Sequence, residues 1–142
     1  MATPNEAVVD SSVIVARYVP ERHSEWASQK MSELEYFHIL DLNFYEVANA
    51  LKHKPSDSFT SKDAQTAFSE AIRLMQLFAL QNFSEIIDDA FAAASDLNIT
   101  IYDAAFLSLA DKLGIPFLTL DGKLAKKLEN TKYHKLLQYP NK

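Results

Sequence analysis

Short apolar runs rich in β-branched and aromatic residues alternate along this chain with longer stretches of helical periodicity. That alternation argues for βαβ units built around a parallel sheet. The first run, Ala7-Val8-Val9, ends in Asp10-Ser11-Ser12 and resumes at once as Val13-Ile14-Val15. The pattern predicts a strand feeding directly into a helix over Ser12–Val19, which Pro20 stops. A more polar helix over His23–Leu34 and a second strand, Tyr36–Leu40, are expected next.

Further along, Asn43-Phe44-Tyr45-Glu46 has capping-box spacing, with Asn43 as N-cap and Glu46 at N3 of a helix running to about Lys54. Pro55-Ser56-Asp57-Ser58 reads as a loop. Ser61 is expected to cap a long helix whose inner face carries Ala64, Ala67, Phe68, Ala71, Ile72, Met75 and Phe78. A short third strand over Gln81–Ser84 and a helix over Glu85–Leu97 follow. Thr100-Ile101-Tyr102-Asp103 repeats the capping-box spacing and opens a helix that Gly114 ends. Ile115–Thr119 reads as strand four, Asp121 as the cap of a short helix over Lys123–Leu128, and Tyr133–Leu137 as a last edge strand.

At 142 residues the chain is expected to form one domain, 1–142, with 48% hydrophobic residues to fill its core. It lacks an apolar run of membrane-spanning length and the basic flank and apolar core of a signal peptide, so a cytoplasmic protein is expected. The absence of cysteine excludes disulfides and thiolate metal sites. Net charge is −5, but unevenly spread: residues 112–142 carry seven lysines against two acids, while residues 1–111 carry 17 acids against seven basic side chains. A basic C-terminal part fits either a bound polyanion or a solvated lysine face.

Four acids occupy comparable places. Asp10 follows strand one, Asp121 follows strand four, and Glu46 and Asp103 each sit in the first turn of a helix. In a right-handed doubly wound fold, strand C-termini and the helix N-termini after them share one edge. Four carboxylates meeting there would repel one another, and a hard divalent cation with oxygen ligands, Mg²⁺ or Mn²⁺, would relieve that conflict. Such an ion suits phosphodiester hydrolysis. Singly, each acid also fits a structural role as a cap or a helix-dipole partner. It is their arrival at one edge that points to a site.

Four successive segments carry a resemblance: Asp10-Ser11-Ser12-Val13; Glu46-Val47-Ala48-Asn49-Ala50-Leu51; Tyr102-Asp103-Ala104-Ala105-Phe106-Leu107-Ser108-Leu109-Ala110; and Thr119-Leu120-Asp121-Gly122-Lys123-Leu124. In order and spacing, from Val8 to about Leu124, they resemble the motifs of PIN-domain nucleases, nearest to the VapC-type toxins of prokaryotic toxin–antitoxin pairs. The resemblance implies an α/β, PIN-like three-layer domain with a mostly parallel sheet of four to five short strands flanked by helices. It implies a metal-dependent ribonuclease with Asp10, Glu46, Asp103 and Asp121 as the acidic pocket and metal ligands. Ser12 and Thr119 would support that pocket. A homodimer and a cognate antitoxin segment laid over the groove are implied too.

One departure is Asp41, an extra acid just before Leu42-Asn43, which reads as a fifth pocket group or a surface residue. His53 and Lys123 are further candidates for the rim. Two other readings of the residues stay open: an aspartyl-phosphate phosphatase with Asp10 as nucleophile, although Ser12 stands where such sites carry a second acid, and a non-catalytic metal-binding or scaffold domain. Setting the four pocket acids aside leaves 15 acids against 14 basic residues, so most of the net acidity would belong to the site itself.

Overall fold

The computed structural model describes residues 5–141. Five strands, β1 (Glu6–Val9), β2 (Tyr36–Leu40), β3 (Ala79–Gln81), β4 (Phe117–Leu118) and β5 (Leu137–Gln138), form one sheet of order β3-β2-β1-β4-β5. Every pairing is parallel. The helices are α1 (Ser11–Tyr18), α2 (Ser24–Ser32), α3 (Leu42–Lys52), α4 (Ser61–Met75), α5 (Ile87–Leu97), α6 (Ile101–Leu113) and α7 (Gly122–Lys127). No helix among the described residues is long and apolar enough to cross a membrane.

The period-two pleat of β1 divides the core. Ala7 and Val9 pack with Val13, Ile14, Ile39, Val47 and Met75 on the face covered by α1 to α4. Val8 packs with Leu40, Phe106, Leu109, Phe117 and Leu124 on the face covered by α5 to α7. Successive side chains of a strand point to opposite faces, so β1 is apolar throughout because it is buried on both. The result is the three-layer α/β arrangement expected from the sequence.

From β1 the chain winds outward through β2 to β3, then crosses back to place β4 on the other side of β1. The reversal of strand order therefore falls between β1 and β4, where open α/β sheets form their ligand crevice. The Asp10 amide donates to the Leu118 carbonyl at 2.9 Å, carrying the β1–β4 pairing to the edge where both strands end.

Several local expectations shift. Asn43 does not cap α3, because the chain turns helical at Leu42, with Asp41 as N-cap and no side-chain capping bond, and Glu46 accordingly lies beyond the first turn rather than at N3. Fully buried Asn43 is instead consumed by backbone groups of two strands, described below. The long helix α4 is capped by Thr60, one residue before Ser61, in a capping box with Asp63. Phe68 is 40% exposed, since the inner stripe of α4 is made by Ala64, Ala67, Ala71 and Met75. The third strand lies earlier, at Ala79–Gln81, since Asn82 and Glu85 form a capping box that turns Phe83–Glu85 into a 3-10 helix. The last strand lies later, because His134–Leu136 is also a 3-10 turn and pairing with β4 begins at Leu137. Gly114 ends α6 in the left-handed conformation, φ +67°, as its position required.

Candidate active site

Two carboxyl-bearing loops meet at the ends of β1 and β4. Oδ2 of Asp10 accepts from the Ser12 hydroxyl at 2.7 Å and from the buried Thr119 hydroxyl at 2.9 Å. Both hydroxyls therefore fall on one oxygen, which leaves Oδ1 free of side-chain donors. The two supports also hold the neighbouring loop: the Asp121 amide donates to Thr119 Oγ1 at 3.1 Å, and the Leu120 amide to Ser12 Oγ at 3.3 Å. Asp121 caps α7, its Oδ1 accepting from the Lys123 and Leu124 amides at 3.0 Å each.

Glu46 reaches the same place from α3. Its Oε1 accepts from the Ser11 hydroxyl at 2.9 Å, and Ser11 in turn accepts from Asn43 Nδ2 at 3.0 Å. Asn43 also donates to the Val9 carbonyl at 3.1 Å and accepts from the Leu40 amide at 2.8 Å. One amide side chain thus ties the ends of β1 and β2 together and orients the hydroxyl that holds Glu46. Asp103 comes from α6, where Thr100 caps its amide at 3.1 Å. That is half of the expected capping box, because the Asp103 carboxylate makes no bond back to the Thr100 amide and remains available to the site.

The four carboxylates feel one another. Burial pushes the Asp10 carboxyl above the usual range and the charge of Asp121 adds to this, while the Ser12 and Thr119 hydroxyls and the Ser11 amide pull it down. Burial raises Glu46, with the charges of Asp10 and Asp103 acting in the same sense against the Ser11 hydroxyl. Burial raises Asp103, helped by Asp121 and Asp10 and opposed by the Thr100 hydroxyl and the Lys127 ammonium. Mutual repulsion of this kind marks a place where a cation is favoured. Among the described residues no three acidic, histidine or cysteine groups stand close enough to chelate one ion between them. The all-oxygen donor set fits a hard ion that keeps several waters and takes one or two carboxylates directly, as Mg²⁺ does.

Two clefts meet at Asp103. One, about 380 Å³, runs over α1 and α3 and is lined by Asp10, Ser12, Glu46, Ala50, Lys54 and Glu21 as well as Asp103. The other, about 480 Å³, runs toward α7 and is lined by Thr100, Asp121, Lys123, Lys126 and Lys127 with Asp103. The extra acid Asp41 does not join them: its Oδ1 accepts from the Phe83 amide at 2.9 Å, fixing the chain after β3. His53 ends α3, exposed, with its ring bonded to the Asn49 carbonyl at 2.8 Å, and lines neither cleft. Lys123 does line the second cleft. Ser11, Asn43, Glu21, Lys54 and Lys127 had no site role assigned by the sequence reasoning. Lys54 carried a usable signal, since it follows Glu46 and Ala50 at the same four-residue spacing, although α3 ends at Lys52 and the Lys54 amide closes on the Leu51 carbonyl at 3.2 Å just beyond it.

A parallel sheet with its strand-order reversal at β1/β4 and carboxylates gathered over that edge defines an α/β domain with an acidic crevice at its switch point. The PIN domain family model matches residues 7–129, and the chain belongs to that family. Ribonuclease VapC3 of Pyrobaculum aerophilum is 41% identical over 121 residues, covering 84% of this chain and 92% of that protein. Among solved structures, a toxin–antitoxin complex from Klebsiella pneumoniae superimposes with TM-score 0.70 at 15% identity, over 96% of this chain and 98% of that one. The Mycobacterium tuberculosis VapC20, a toxin that cleaves the sarcin–ricin loop, superimposes with TM-score 0.67 at 16% identity, over 84% and 93% of the two chains. At these identities the structural likeness speaks for the fold alone.

Proposed function

We propose that this chain is a divalent-metal-dependent endoribonuclease that hydrolyses RNA phosphodiester bonds and acts as the toxin of a VapBC-type toxin–antitoxin pair. The observation that carries the reading is the convergence of Asp10, Glu46, Asp103 and Asp121 on one sheet edge, each raised or raising its neighbours through charge. Kinship with a ribonuclease at 41% identity supports the same reaction class.

In this reading Asp10 and Asp103 would be the principal ligands of Mg²⁺ or Mn²⁺, with Glu46 and Asp121 completing the acidic pocket around it or positioning water there. An ion held there would supply Lewis acidity, lowering the pKa of water and offsetting phosphoryl charge. Ser12 and Thr119 hold the Asp10 carboxylate by one oxygen, and the other carries no side-chain donor that would compete with an ion. Ser11 fixes Glu46 in the same way. Glu46, held by the Ser11 hydroxyl in the cleft that Asp10 and Asp103 also line, would position the attacking water.

The whole chain would act as one domain in the cytoplasm, with an antitoxin segment over the clefts. A homodimer is part of the proposal: Tyr45, Phe91 and Tyr102 are 75%, 68% and 55% exposed around an apolar groove shared with Leu42, Ile87 and Ile101, a face a second copy would cover. The deciding test is incubation of the chain with RNA, with and without Mn²⁺, beside Asp103→Asn. Metal-dependent cleavage lost in the variant is expected. Undiminished cleavage in Asp103→Asn, or in excess EDTA, overturns the proposal.

A further inference from the structure

The two clefts that meet at Asp103 differ in their cations. On the α1/α3 side the one lysine, Lys54, is already paired with Glu21 at 3.1 Å, and both line the cleft. On the α7 side three lysines line the wall opposite Thr100 and Asp103. Lys127 is committed, since its Nζ donates to the Asn98 carbonyl at 3.1 Å and its charge acts on Asp103. Lys123 and Lys126 are exposed and form no ion pair among the described residues. Two uncommitted ammonium groups therefore sit within the cleft that opens directly onto Asp103 and Asp121.

From this asymmetry we infer that the α7 cleft is the binding track for the substrate strand, with Lys123 and Lys126 holding the backbone phosphates next to the one that is cut. The inference rests on the proposed nuclease activity and adds a direction to it. An acidic centre repels a polyanion, and a strand reaching the carboxylates needs compensating charge along its approach. Lys123 lies two residues beyond Asp121, and Lys126 one helical turn further, so a ligand at Asp121 meets both on its way out along α7. Lysine–phosphate pairs of this type position a strand without reading its bases. The opposite cleft, its single cation neutralised by Glu21, offers no equivalent hold. The basic surplus of residues 112–142 thereby acquires a location, since part of it lines the site.

The test separates binding from cleavage. A fluorescein-labelled single-stranded RNA is titrated into the Asp10→Asn chain without metal, following anisotropy over a range of salt concentrations. Adding Lys123→Ala and Lys126→Ala is expected to weaken binding by at least tenfold and to reduce the slope of log Kd against log salt by about 0.7 for each phosphate no longer neutralised. Lys123→Arg with Lys126→Arg should restore both. An unchanged affinity and slope in the double alanine variant overturns the inference. So does an equal loss when Lys30 and Lys135, which line neither cleft, are replaced by alanine instead. Failure of the parent chain to cleave RNA with Mn²⁺ would instead count against the nuclease reading, and the binding measurement does not depend on it.

Discussion

Thr119 and Asp10 lie 109 residues apart in sequence and are joined by a 2.9 Å hydrogen bond, the hydroxyl donating to Oδ2. The same hydroxyl accepts from the Asp121 amide at 3.1 Å. One buried side chain thus sets the position of two of the four carboxylates. Thr119→Val keeps the shape and removes both functions. It should lower RNA cleavage by more than tenfold and cost about 1–3 kcal/mol of stability, while Thr119→Ser retains most of both. Initial rates and urea unfolding of the two variants check this.

Asp10→Asn removes a charge that burial and Asp121 both disfavour, and an amide oxygen can still accept from Ser12 and Thr119. Cleavage should disappear while the metal-free chain at pH 7 gains a few degrees in Tm. A mutation that removes activity and raises stability is the signature of a site held under repulsion. Differential scanning calorimetry in EDTA beside an RNA cleavage assay reads both.

The raised carboxyls also set a pH dependence. Asp10, Glu46 and Asp103 hold protons more tightly folded than unfolded, so their contribution is fully present below the ordinary carboxylate range. It is lost as pH rises through their elevated folded values, because the unfolded chain ionises first. In EDTA the Tm should therefore fall as pH goes from about 4.5 to 7. Saturating Mn²⁺ should offset the fall at pH 7, by about 2.7 kcal/mol at a hundredfold excess over Kd. A thermal-shift series in pH, with and without the ion, measures it.

Asn43 is fully buried and bonded to the Leu40 amide, the Val9 carbonyl and the Ser11 hydroxyl. Asn43→Ala leaves a backbone donor and acceptor unpaired in the core. The expected cost is about 1–3 kcal/mol, with a further drop in cleavage because Ser11 no longer orients Glu46. Ser11→Ala should reproduce the drop in cleavage with a smaller effect on stability. Comparing urea midpoints and initial rates distinguishes the two.

If two copies pair through the apolar groove beside α3 and α5, Phe91→Glu should shift the chain from dimer to monomer in sedimentation velocity without unfolding it, since Phe91 is 68% exposed.

Strands β1, β2 and β4 were legible in the sequence because each lies in a short apolar run. The acids were visible as candidates at strand ends and near helix starts, although Glu46 falls beyond the first turn of α3. Ala79-Leu80-Gln81 and Leu137-Gln138 are too short to mark β3 and β5. What was not legible is how polar side chains are spent. A residue such as Asn43 satisfies a capping pattern by spacing alone, yet its position beneath two strand ends makes it more useful to the backbone groups there. Thr60 outcompetes Ser61 for the cap of α4 because Asp63 stands three residues on to close the box. Asp41 became a support for Phe83 through a hydrogen bond spanning 42 residues. Local spacing does not encode tertiary partners of this kind, and the same limit hid Lys127 and Glu21.

The placement of β4 beside β1 has a consequence for how the protein is made. Asp10 leaves the ribosome 109 residues ahead of Thr119, the more distant of its two hydroxyl partners. At about 5–20 residues per second, this leaves the Asp10 carboxylate with Ser12 as its one hydroxyl donor for roughly 5–20 s of synthesis. The four carboxylates can therefore share one edge only after β4 and the loop that carries Asp121 have followed β1, β2 and β3 out.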